Sequence, residues 1–268
     1  MIRALLAFPL KEWRIYRSYR FAMLLNLASI LFGVGTFFFV GRFLEDGGAP
    51  YLATYGGSYF LYALVGIAMS HFLVSLLNGL SINLRQEQDL GTLEAILVSP
   101  LPEPLVLLGL LVWNTSLSLL IGVGYVTLGY FIYPFPLSWI AIVKASLAVA
   151  LAGLVFLGLG GIAASFILYF KRGNPITWIF SSFSIFLGGV YFPVELLPPS
   201  LCSFAKLLPI PHAIDALRMA LLQDASISML APKLLILSLF SLLLLPLAWI
   251  LIQVSLRRSR EQGSLNHQ

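Results

Sequence analysis

The sequence has little acid and almost no cysteine. Eleven Asp and Glu stand against sixteen Lys and Arg in 268 residues, and charged residues make up only 10%, where a soluble domain carries about 25%. The single cysteine, Cys202, excludes an intrachain disulfide and would give a cysteine-based metal site one ligand at most. There is no Gly-x-x-x-x-Gly-Lys-Ser/Thr phosphate cradle, no His-Glu-x-x-His, no Cys-x-x-Cys and no Gly-x-Ser-x-Gly. The acids are nearly confined to the polar segments, so no carboxylate pair faces itself inside an apolar block. An enzyme and a metal site are therefore not expected, and because the basic residues cluster beside the hydrophobic blocks, as membrane topology favours, neither is a nucleic-acid partner. No internal repeat of the kind many secondary transporters carry is evident.

What the chain has instead is long apolar runs, 59% hydrophobic residues overall. They do not alternate as β-barrel strands do. Six candidate spans follow: Phe21 to Val40, Gly57 to Ile82, Leu105 to Tyr133, Leu137 to Phe170, Ile176 to Phe192 and Leu234 to Val254. Crossing takes about 20 residues, so the fourth is long and the fifth short. Gly158, Gly160 and Gly161 are a flexible point or a close-packing surface in the fourth. Pro246 predicts a kink in the sixth. The expected fold is an all-α integral membrane protein forming one domain over residues 1–268.

Residues 3 to 20 precede the first span. Lys11, Arg14, Arg17 and Arg20 recur every three residues, with Trp13, Tyr16 and Tyr19 on a neighbouring face. That is an interfacial helix, with rings at headgroup depth and cations toward phosphates. Within the second span His71 is ionisable. It is either linked to a transport pathway or neutral and bonded to a neighbouring helix. Asn78 and Asn83 read as packing or capping groups. Lys144 is expected to snorkel out of the fourth span. Between the fifth and sixth spans, Pro193, Pro198, Pro199, Pro209 and Pro211 break the chain into two short helices, about Pro199 to Leu208 and Pro211 to Leu222. Apolar pieces too short to cross fit re-entrant structure over residues 193–225. Asp215 and Arg218 stand three apart and can pair on one helical face. The pair, with Pro193 and Glu195, is either structural or an outer gate.

The longest polar interruption runs from Leu84 to Pro100. As one helix it places Leu90, Leu93 and Leu97 on one face and stacks Glu87 with Glu94 as an acidic stripe beside it. Spacing alone leaves two readings open, a docking element at a membrane surface or a solvated loop helix. The run Asp89, Gly91-Thr92-Leu93-Glu94, Leu97, Ser99-Pro100 resembles the cytoplasmic signature of type-2 ABC transporter permeases, Glu-x-Gly-Thr-Leu-Glu-x-x-Leu-x-Ser-Pro. Pro102 and Pro104 after it depart from the pattern. Later, Gly188-Gly189-Val190-Tyr191-Phe192-Pro193, Leu197-Pro198, Leu208-Pro209 and Asp215-Ala216-Leu217-Arg218 resemble that family's outward-facing re-entrant region.

The resemblance implies a coupling helix over residues 84–100 that seats on a separate ATPase. Its surface would be Glu87, Asp89, Gly91, Thr92, Leu93, Glu94 and Leu97. It implies two ATPase subunits, which bind the ATP and Mg, and a second permease copy, identical or similar. The substrate would be an amphiphile such as a drug, a lipid or a lipid-linked glycan, exported across a bacterial or archaeal cytoplasmic membrane. With both termini inside, the inner segments hold eleven Lys and Arg and the outer ones four, Lys144 left aside as intramembrane, which agrees with the positive-inside bias. An ion-coupled transporter or channel using His71, and an ATPase-linked scaffold without net transport, are the alternatives.

Overall fold

In a bilayer, an apolar stretch can satisfy its peptide groups only within itself or in a closed barrel. The non-alternating runs leave the helix. The computed structural model describes residues 2–45, 58–97, 102–135, 137–170 and 175–261. Ten α-helices occur among them: α1 (Ile2–Ser18), α2 (Arg20–Glu45), α3 (Tyr59–Asp89), α4 (Leu93–Leu97), α5 (Glu103–Ile132), α6 (Trp139–Phe170), α7 (Pro175–Leu187), α8 (Pro199–Lys206), α9 (Pro209–Leu221) and α10 (Ile227–Glu261). The described residues contain no strand.

Five helices, α2, α3, α5, α6 and α10, are long and apolar enough to cross a membrane. The expected fifth span, Ile176 to Phe192, is not among them. α7 has 13 residues, about 20 Å of helix against a hydrocarbon core of about 30 Å. It stops at Gly188, where a side chain would run into the Ser184 carbonyl and Ile210. Gly189 then turns the chain at φ +71°, a conformation that costs other residues more. The proline-broken region forms α8 and α9, close to the boundaries read from the prolines.

α3 is the central element. Its Met69, Phe72, Leu73, Leu76 and Leu77 share one core with Val155 and Phe156 of α6 and with Ile210, Ala213 and Ile214 of α9. The small residues of α6 serve packing on two sides. A Cβ at Gly160 would lie 2.7 Å from the Leu76 carbonyl oxygen of α3, and one at Gly158 would lie 2.8 Å from Leu244 Cβ of α10. α6 runs unbroken through them, and α10 runs on as one helix through Pro246. α1 lies against α5: Trp13 and Tyr16 meet the Trp113 ring edge-on at 5.9 and 5.6 Å. Asn114 donates to Asn83 at 3.2 Å, and Asn83 to the Leu110 carbonyl, which ties α3 to α5.

Lys144 does not snorkel. It is buried and donates to Asp224 Oδ1 at 2.6 Å and to the Ala225 carbonyl at 2.8 Å. A partner carried on the turn after α9 satisfies its charge in place. That turn needs Asp224 at φ 45°, a left-handed conformation which Asp tolerates better than most residues.

Candidate functional site

The residues singled out from sequence gather at the two ends of α3. At one end the helix continues through Arg85, Gln86, Glu87, Gln88 and Asp89 as a direct extension. It closes when the Leu90, Gly91 and Thr92 amides donate back to Gln86, Gln88 and Glu87. Gly91 takes φ +68°, the usual way to end a helix with its last carbonyls satisfied. α4 then starts at Leu93. The expected single helix over residues 84–100 is thus corrected within 84–97: it is a helix end, a left-handed turn and the short helix α4, while residues 98–100 and the expected stacking of Glu87 with Glu94 lie outside the described residues.

The turn is held from inside. Leu93 is 0% exposed and packs with Leu84, Leu107 and Leu110, whereas Leu90 is 69% exposed, so the two do not share a face. Glu87 is only 5% exposed. It accepts from Lys11 Nζ of α1 at 2.7 Å and from the Thr92 hydroxyl. The Glu87 carboxylate raises the Lys11 pKa above its ordinary value, chiefly through this hydrogen bond. Glu87 is therefore engaged by its own chain. Asp89, Leu90, Gly91 and Thr92 form the exposed tip. The side chains of Glu94 and Leu97 lie outside the described residues, as do Ser99 and Pro100.

At the other end of α3, Arg218 of α9 is 0% exposed. Its guanidinium donates to the Tyr62 carbonyl through Nε at 3.1 Å and Nη2 at 2.9 Å, to the Gly189 carbonyl at 2.8 Å and to the Val190 carbonyl at 2.9 Å. It lies 3.4 Å from the centroid of the Tyr62 ring, whose hydroxyl also donates to Gly189. The expected Asp215–Arg218 pair is not formed. Asp215 instead accepts from Lys233 of α10 at 2.9 Å. The long Arg218 side chain reaches the carbonyls of the Gly189 turn, where a buried acceptor left unpaired is costly, and shares the Gly189 oxygen with the Tyr62 hydroxyl. Glu195 is exposed and Pro193 half-buried, ahead of a short 3-10 turn, Val194–Leu196.

His71 sits between these ends and is exposed. It is not alone. Ile67, His71, Ser75, Asn78, Ile82, Arg85 and Asp89 recur every three or four residues along the one open face of α3. Reading His71 in isolation missed this stripe, although its helical period was present in the sequence. Asn78 bonds only along its own helix, to Val74 at 3.0 Å. Among the described residues no cluster of His, Cys, Asp or Glu could hold a metal ion.

Comparison with known proteins fits this architecture. Residues 2–222 match the family described as ABC-2 type transporter. Among similar curated proteins are three called nodulation protein J. That of Bradyrhizobium diazoefficiens is 34% identical over 136 residues, covering 49% of this chain and 50% of the relative. That of Sinorhizobium fredii is 28% identical over 201 residues (74% and 70%), and that of Neorhizobium galegae 30% over 190 residues (67% and 68%). The chain spans about half the length of several of the curated relatives it matches. With an all-helical core, five helices of crossing length and a family match over nearly its whole length, the chain belongs to the ABC-2 type transporter family of membrane permeases.

Proposed function

We propose that this chain is the membrane subunit of an ATP-driven exporter. A separate ATPase docks on the tip Asp89–Thr92 and on α4, and an amphiphile passes outward along the polar face of α3. The observation that carries the proposal is the continuity of α3. One helix of 31 residues, about 46 Å long, joins the exposed turn at Gly91 to the carbonyls gripped by Arg218. A displacement applied at the turn is delivered to the α9 end without a joint in between. Glu87 and Lys11 tie α1 to the same lever. The ATP and Mg belong to the partner, and this chain's residues receive the motion. Family members generally work with an ATPase subunit, and two ATPase copies and a second permease complete this reading.

In this orientation the short α7 makes the sixth crossing, the termini and the Gly91 turn face the cytoplasm, and α8 and α9 form a re-entrant region on the outer side. The stripe containing His71, Ser75 and Asn78 faces the second permease and lines the path. Polar side chains turned toward lipid are costly, and polar side chains in spans generally face a partner or a cavity.

The test is co-purification in mild detergent with the ATPase encoded beside this chain. Wild type is compared with Asp89→Lys/Glu94→Lys and with Glu87→Gln. The expected result is retention by wild type and Glu87→Gln, and loss with the charge-reversed tip. Equal retention by all three removes the tip from the interface. Absence of any ATPase from wild type overturns the exporter reading, and ion-gradient transport dependent on His71 becomes the next measurement.

A further inference from the structure

We propose that a cleft between α5 and α6 binds one hydrocarbon chain of a membrane amphiphile, entered sideways from the bilayer. The two helices are neighbours in sequence, yet they scarcely touch each other: α5 packs chiefly on α3, and α6 on α10 and then α3. The gap they leave is a cavity of about 390 Å³, within the usual size range of small-molecule sites. Met69 and Phe72 of α3 and Ala145 of α6 are buried and form its floor. Val123 and Thr127 of α5 and Ser146 of α6 are exposed and form its rim. Leu217 and Leu221 of α9 close one end.

Chemistry selects the occupant. The hydroxyls at the rim are already used. Thr127 donates to the Val123 and Gly124 carbonyls at 2.9 and 3.0 Å, and Ser146 to the Val143 carbonyl at 2.8 Å. The remaining lining is apolar, so ordered water, which needs two to four polar partners, has no place there. An empty space of this size would forfeit the dispersion contacts of its lining.

Shape narrows the choice further. The cleft follows α5 from Leu119 to Thr127, about 12 Å of helix. The same length of helix with its side chains, about 10–12 Å across, displaces more than twice the 390 Å³ of the cleft. A chain of methylenes fits this space, and a helix of a second copy does not. The surrounding medium supplies such chains.

The site is separate from the polar stripe. Ala68, Met69 and Phe72 lie about 120° around α3 from the face that carries His71. It also bears on the far end of the lever. Leu217 and Leu221 neighbour Arg218 on α9, so a bound chain packs on the same helix that Arg218 fastens. The inference does not rest on the exporter reading. It needs only a bilayer around these helices.

The test uses the full chain in phosphatidylcholine vesicles containing a trace of phosphatidylcholine with a diazirine at one chain end. After irradiation, adducts are mapped to peptides. The expected result is labelling of Gly122–Val126 and Ala145–Val149 at least fivefold above the exposed α2 positions Phe32 and Phe39. Ala145→Phe, which fills the floor, should abolish that excess and leave α2 labelling unchanged. Gly122→Leu provides a second filling variant should Ala145→Phe not fold, because a Cβ there has only an ordinary contact, 3.7 Å from the Ala68 carbonyl. Uniform labelling of α2, α5 and α6, or an excess that survives both fillings, overturns the site. So does efficient disulfide formation between copies carrying Thr127→Cys in a Cys202→Ser background, which would mean that protein covers the cleft.

Discussion

Arg218 shows how one buried cation can organise an end of this bundle. A buried arginine is tolerated when its hydrogen-bond donors are met, and this one gathers the carbonyls of Tyr62, Gly189 and Val190. The arrangement requires a glycine opposite. A Cβ at Gly66 would lie 2.5 Å from Arg218 Nη2 and 2.6 Å from the Val190 oxygen. Gly66→Ala should therefore destabilise by about 1–3 kcal/mol, as overpacking does, and lower the unfolding midpoint in detergent. Gly35→Ala, with open space around it, should be neutral or slightly stabilising. Equal midpoints for the two variants would mean that the Arg218 grip relaxes at little cost.

His212 gives a residue-scale prediction of pH dependence. It lies buried in α9, outside the crossing helices. Its Nε2 meets the Lys206 carbonyl at 2.8 Å, and its buried Nδ1 has no partner among the described residues. Burial holds its pKa below the ordinary 6.5, and nearby Lys233 adds to that, against the opposite pull of the Lys206 carbonyl and Asp215. The unfolded chain then takes up the proton first as pH falls. Stability from this group is full above about pH 6.5, declines below it, and is lost once pH passes the lowered folded value. The unfolding midpoint of wild type should drop more between pH 7.5 and pH 5 than that of His212→Gln. Parallel curves would remove His212 as the cause.

The elements explain which parts of the fold were legible. Long apolar runs announce crossing helices by length alone, and prolines mark α8 and α9, because both signals are local. The polar run from Arg85 to Asp89 looked like the start of a new element, yet α3 simply carries it beyond the apolar region. Only the φ of Gly91 decides where that helix ends. The partners of charged groups were not legible. Lys144 meets Asp224 eighty positions away, and Arg218 meets Tyr62 at a separation of 156. Spacing rules see only neighbours within a turn or two. The engagement of Glu87 by Lys11 was hidden for the same reason, at a separation of 76.

That pair predicts how α1 is attached. Lys11 is about half exposed, so solvent screens the interaction to about 0.5–1 kcal/mol. Glu87→Gln should then speed hydrogen exchange in α1 about two- to fivefold, while Glu12→Gln leaves it within error. The rings of Trp13 and Tyr16 against Trp113 keep α1 docked in both. No change in Glu87→Gln would assign the attachment of α1 to the rings alone.

At the scale of the whole molecule, the two open surfaces differ in kind. α2 shows lipid Leu25, Phe32 and Phe39, which need no cover. α3 is buried over most of its surface, and its one open face carries His71, Ser75 and Asn78 at depth. Under the proposed function, a helix that central, opening only along a polar line, walls a space that another subunit completes. In the proposed assembly that subunit is a second permease. Ser75→Cys in a Cys202→Ser background should therefore form a disulfide-linked dimer in vesicles under mild oxidation. Phe32→Cys on α2 should remain monomeric. A substrate bound along the stripe should slow the Ser75→Cys reaction by occupying the space between the copies. Exclusive cross-linking through α2 would put the stripe against lipid and leave the polar face of α3 without a transport role.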